Sequence, residues 1–150
     1  MNPYRSHTPR GFYSLLRGHT GEDHNYVNEE LPSPITGEVV GLTHQNEMGN
    51  CIYLQDAWFN VHVFAHLSEF KVQMHQRVNR DDIIAITGNT GSKTTAPHLH
   101  WEVITPEPLN PIDRIMRRPE LGVAFGGKGY NTCPIMYLKK MYDFYKVPIT

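Results

Sequence analysis

Long apolar runs are missing from this chain. No segment approaches the roughly 18 consecutive apolar residues that a membrane-spanning helix needs, and the opening MNPYRSHTPRGFYSLLRGHTG holds nothing like the apolar core of a secretory signal. The expectation is no membrane insertion and a product made in the cytoplasm. An excess of one charge is missing too. With 14 Lys and Arg against 15 Asp and Glu, there is no general electrostatic case for nucleic acid or an anionic membrane as the main partner. Cysteine is almost absent: Cys51 and Cys133 lie far apart without CxxC spacing, so free thiols are expected and nothing asks for a disulfide. Repeats and low-complexity segments are also lacking. The 150 residues are most simply one domain, 1–150, large enough to bury a core without a metal or disulfide to hold it together. A metal, if bound, would be there for chemistry.

Short strands separated by turns are what the chain does have. Glu38 to Thr43, Cys51 to Leu54, Phe59 to Leu67 and Ile83 to Thr87 are rich in β-branched and aromatic residues and are bounded by SPITG, HQNEMGN and GNTGSKTTAP. Successive short strands with tight connections predict a mainly β protein built on an antiparallel sheet or sandwich. After Val103 the character changes. TPEPLNP breaks the strand, IDRIMRRPE has room for a short helix, and GVAFGGKGYN reads as a Gly-rich loop. The tail PIMYLKKMYDFYKVP carries Pro134 where a first helical turn tolerates it and a stripe of Ile135, Leu138, Met141, Tyr142 and Tyr145, which predicts a C-terminal helix packed on the sheet.

Histidines and carboxylates fall in three places. In APHLHWEV, an extended backbone puts His98, His100 and Glu102 on one face and Leu99, Trp101 and Val103 on the other. In VFAHLSEF, strict alternation groups His62, Phe64 and His66 against Val61, Val63 and Ala65. Upstream, His19 and Asp23 are spaced as HxGxD, with Gly21 favouring a turn or strand end over a helix. Each piece alone has a bland reading: a satisfied structural histidine at 66, a chance pair at 19 and 23, a solvated carboxylate at 102. Together they supply zinc-type ligands, and three protein ligands with a fourth position left to water are the pattern of a catalytic site.

In combination, HTGED at 19–23, FAHLS at 64–68 and GNTGSKTTAPHLHWEV at 88–103 resemble the lysostaphin and LytM type of zinc endopeptidase, in that family's order. The resemblance implies a LytM-type β core over about residues 15–111 and gives out beyond Pro111, where the extension from about 112 to 150 is expected, from its apolar stripe, to pack on that core. It implies one zinc ion held by His19, Asp23 and His100, and His98 as general base. His66 beside it would orient the water or stabilise the developing oxyanion. Glu102, read from its place on the same face rather than from the resemblance, is expected to accept a ring N–H of an active-site histidine. The implied substrate is a stem or cross-bridge peptide of bacterial peptidoglycan. His75 and Asp81 stand where the family commonly has glycine, which predicts left-handed backbone at both. Phe64 stands where it often has tyrosine. His24, next to a ligand, is expected to face away, with a contact to the metal left open. Two other readings remain: a non-catalytic wall-binding protein of the same fold, and a structural component of a phage particle docked through the C-terminal region. An enzyme of this kind without an export signal would reach the wall by release or delivery, as a phage or prophage lysin or inside a virion.

Overall fold

The computed structural model describes residues 22–24, 26–92, 94, 96–105 and 130–132; of residue 22 and residues 130–132 it describes the backbone alone. His19, Cys133 and both expected C-terminal helices lie outside these residues. Among the described residues, nine strands form one antiparallel sheet: β1 (Glu22–His24), β2 (Glu30–Pro32), β3 (Gly37–Gln45), β4 (Gly49–Asp56), β5 (Val61–Phe70), β6 (Arg77–Val78), β7 (Ile83–Thr87), β8 (Leu99–Thr105) and β9 (Tyr130–Thr132). The expected mainly β, antiparallel architecture is what the chain adopts. The main path runs β1-β8-β5-β4-β3-β6, while β7 joins β5 and carries β2 on its far side.

One edge of β5 serves two partners. Its first half, Val61 to Ala65, pairs with β8, and its second half, Leu67 to Phe70, pairs with β7. The β2–β7 arm brings Leu31, Ile84 and Ala85 into the same apolar core as Ile52, Leu54, Phe64, Leu99, Trp101 and Val103 from the main sheet. All of these are fully buried, and a large buried side chain of this kind contributes about 1.5–3 kcal/mol. Inside this core, the Trp101 indole N–H donates to His62 Nδ1 at 3.2 Å, and His62 Nε2–H donates to Asp56 at 3.1 Å. Phe64 stacks on Trp101 with ring centroids 6.1 Å apart, so the residue at the family's frequent tyrosine position faces the core.

The opposite face carries a smaller apolar cluster of Cys51, Val61, Val63, Ala65 and Ile104. Burial there pushes the Cys51 thiol up to about 12. The thiol is free, and at pH 8 it should resist iodoacetamide in the native protein and react once the chain is denatured. Peptide mapping separates it from Cys133, and rapid native alkylation of Cys51 would contradict its burial.

Strands β3, β4 and β5 differ by one to three residues at their ends from the sequence expectation, whereas β7 matches it. The third expected strand starts at Val61 rather than Phe59, because Asp56 Oδ1 accepts the Trp58 and Asn60 amides and closes a turn. Phe59, 69% exposed, sits in that turn at φ 66°. A bulky side chain in left-handed backbone is strained, so Phe59→Gly should raise stability by roughly 0.5–1 kcal/mol in a denaturant titration, with unchanged or lower stability arguing against strain. The expected Gly-rich loop at 122–131 overlaps β9, which pairs Tyr130–Thr132 with Thr105–Val103. His75 and Asp81 adopt φ of 67° and 74°, as their place at customary glycine positions predicts.

Candidate metal and catalytic site

Register brings the site together. β1 lies antiparallel to β8 with Asp23 opposite His100, and β5 flanks the other side of β8 with Ala65 opposite His100. Cross-strand partners share a face, so Asp23 and His100 meet, and the small side chain of Ala65 leaves the imidazole room. Asp23 Oδ1 is 3.1 Å from His100 Nδ1 and 3.4 Å from His98 Nε2. His24, the next residue, faces the other side of the sheet and packs on Trp101 with ring centroids 5.7 Å apart. Its expected orientation away from the site is therefore what the fold gives.

Strict alternation would have placed His66 with Phe64 in the core, away from this cluster. The structure corrects that. Between the pairs Asn50–Leu67 and Ile52–Phe64, β5 carries one residue more than β4, and His66 takes up this β-bulge at φ 61°. The bulge falls where β5 changes partner from β8 to β7. It turns the imidazole onto the site face, with ring centroids 4.9 Å from His98 and 6.0 Å from His100.

Each imidazole is held by its outer nitrogen. His66 Nδ1–H donates to the Thr90 carbonyl at 2.7 Å, His98 Nδ1–H donates to the Ala96 carbonyl at 2.8 Å, and His100 Nε2–H donates to Glu102 at 2.9 Å. Carbonyls and carboxylates only accept, so the remaining nitrogens, Nε2 of His66, Nε2 of His98 and Nδ1 of His100, are the ones left for chemistry. Thr90 is itself fixed: its hydroxyl donates to the Leu67 carbonyl at 2.7 Å and accepts the Asn50 amide at 3.1 Å. Next to it, Gly91 has φ 91°, and a Cβ there would run into the backbone of Glu47 and Gly49. The glycine-rich turn thus nests on the β3–β4 hairpin and delivers the carbonyl that aims His66. The sequence shows this turn but gives no hint that Thr90 and Ala96 act through their carbonyls.

Glu102 is not a solvated strand residue. It is 1% exposed and accepts the His100 ring N–H, the role that its place on the face of His98 and His100 suggested. Burial by itself works against a charged His100, but the hydrogen bonds and charges of Asp23 and Glu102 outweigh it and raise the imidazole to about 9. The hydrogen bond that the His98 ring gives to the Asp23 carboxylate is the main reason that His98 is raised as well. His66 moves the other way, lowered first by burial.

This arrangement tests whether a metal fits. With its Nε2–H given to Glu102, a neutral His100 points a bare nitrogen lone pair at the Asp23 carboxylate. Two acceptors at that distance require a proton or a metal cation between them. A carboxylate oxygen and an imidazole nitrogen are zinc donors, so the pair fits the ion. Among the described residues alone, no three His, Cys, Asp or Glu side chains form a group that could hold a metal. The third donor is expected from His19, which lies outside them.

Comparison with known proteins agrees with this chemistry. The DD-carboxypeptidase/endopeptidase Mpg of Neisseria meningitidis is 30% identical over 127 residues, covering 80% of this chain and 29% of that protein. The chain thus spans under a third of this relative's length. Lysostaphin from Staphylococcus simulans has a TM-score of 0.64 at 26% identity, covering 93% of this chain and 50% of that one. A zinc-containing peptidase from Vibrio cholerae has a TM-score of 0.53 at 31% identity, covering 57% of this chain and 26% of that one. The family model described as Peptidase family M23 matches residues 17–111, which contain every residue of the site. The chain belongs to peptidase family M23.

Proposed function

We propose that the chain is a zinc-dependent endopeptidase that hydrolyses peptide bonds in the stem or cross-bridge peptides of bacterial peptidoglycan. The observation that carries this reading is the set of imidazoles anchored by their outer nitrogens beside one carboxylate. Asp23, His100 and His19 are the residues that would hold the metal. When bound, zinc supplies a Lewis acid that polarises a carbonyl and lowers the pKa of water to about 7. His98, tied through Nδ1 to Ala96, keeps Nε2 to accept the proton of the attacking water and pass it to the leaving amine. His66 faces it and contributes a hydrogen bond to the water or to the developing oxyanion. Glu102 fixes the tautomer and orientation of His100.

The Neisseria relative's designation as a DD-carboxypeptidase/endopeptidase favours a bond between D-configured centres, as in the cross-links of Gram-negative walls. The test is mass spectrometry of purified Gram-negative and Gram-positive peptidoglycan after incubation with the zinc-loaded protein, with and without a chelator. New amine and carboxylate ends at one peptide bond, lost on chelation and restored by zinc, are expected. Intact walls of both kinds with zinc bound would overturn the reading.

A further inference from the structure

The face that carries the site extends beyond it. Glu102 lies opposite Val63, Val63 opposite Tyr53, and Tyr53 opposite Gly41. Tyr53 packs against the apolar cluster of this face. At the usual spacing of neighbouring strands, Tyr53 stands about 10 Å from the Glu102 row.

The tyrosine is built into position. Gly41 has no side chain, and a Cβ there would press on the Tyr53 ring at 3.1 Å, so the ring lies across the glycine toward β3. Gln45 Nε2 donates to the Tyr53 hydroxyl at 2.8 Å and to Thr43 Oγ1 at 2.9 Å. Both amide hydrogens are thereby used within the cluster, and each hydroxyl, having accepted one, keeps its own hydrogen to give. All three side chains are half-buried, which leaves the cluster within reach of a peptide laid along the face. A rigid polar cluster on an apolar floor, continuous with a candidate peptidase site, is the usual make-up of a pocket that fixes a substrate's orientation.

We propose that Tyr53, clamped by Gln45 over Gly41, is a substrate-positioning residue that donates a hydrogen bond to a carbonyl or carboxylate oxygen of the peptide, about three extended residues from the bond cut. This inference rests on the reading of the chain as a peptidoglycan peptidase and adds where that peptide is gripped.

The probe is a soluble cross-linked muropeptide dimer from Gram-negative peptidoglycan, titrated into zinc-loaded protein carrying His98→Ala so that it is not consumed. Tyr53→Phe in that background should weaken binding about threefold to tenfold, the range for one neutral hydrogen bond, with zinc content and melting temperature unchanged. Gly41→Ala, which displaces the ring but keeps the hydroxyl, should weaken it similarly. With His98 intact, Tyr53→Phe should raise KM by that factor and leave kcat within about twofold, since a contact held equally in ground and transition states affects binding alone. A dimer with amidated carboxyl ends tells the sources apart. If it erases the difference between the parent and Tyr53→Phe proteins, the acceptor is a terminal carboxylate; if not, a peptide carbonyl. Equal binding by the Tyr53→Phe and parent proteins overturns the inference alone. No binding by the parent protein overturns it together with the proposed substrate. Binding that depends on Tyr53 without any cleavage by the native chain leaves the subsite standing and removes the peptidase reading.

Discussion

His98→Ala should keep a full equivalent of zinc and lower kcat by about 10²–10⁴-fold, the usual contribution of a positioned general base. His100→Ala should lose both zinc and hydrolysis. These neighbours separate so sharply because their anchors differ. His98 hangs from a main-chain carbonyl, that of Ala96, and a backbone acceptor orients a ring without adding charge. His100 lies between two carboxylates, Asp23 and Glu102, which suits a nitrogen that must share a cation. Zinc content by elemental analysis and rate on muropeptide substrate, measured on the same preparations, decide the matter. Full zinc in the His100→Ala protein would show the two roles to be reversed.

Glu102→Gln should cut zinc affinity or turnover by roughly 10–100-fold, the loss found when the group behind a metal-bound histidine is replaced. Gln retains an oxygen able to accept from His100 Nε2, so the ring need not move, but the negative charge that favours a cation on Nδ1 is gone. Because Glu102 is buried, little solvent screens that charge, and the loss should fall at the severe end. Competition against a chelator of known affinity reads the effect directly. Unchanged affinity and rate would mean that Glu102 only fills space beside Val63.

Much of this was legible in the sequence because it depends on period and spacing. The alternation in APHLHWEV put His98, His100 and Glu102 on one face, and the β-branched runs between turn formers marked most of the sheet. What was hidden depends on irregularity or on distant partners. His66 reaches the site through a bulge, and strict alternation, which assumes regular pleating, assigns it to the wrong face. Glu102 looks solvated in a lone strand and is buried only in the assembled fold, where it accepts from His100. β9 is three residues in a glycine-rich stretch, with no pattern of its own; its reason for being a strand is the edge that β8 offers at Val103–Thr105. Thr90 and Ala96 act through main-chain oxygens, which every residue has, so no side-chain motif could announce them.

The pairing of β8 also sets the order in which the molecule can become competent. Its first residues, Leu99–Trp101, are bordered by β1, and its last, Val103–Thr105, by β9. Asp23 and His100 are 77 positions apart along the chain, so the pair cannot exist until the ribosome has released the HLH segment and a long loop has closed. Contacts of such separation are slow to form, whereas the β3–β4 hairpin beneath the site is local. The hairpin can therefore form before Asp23 and His100 meet, and the candidate metal pair is expected among the last features of the fold to assemble.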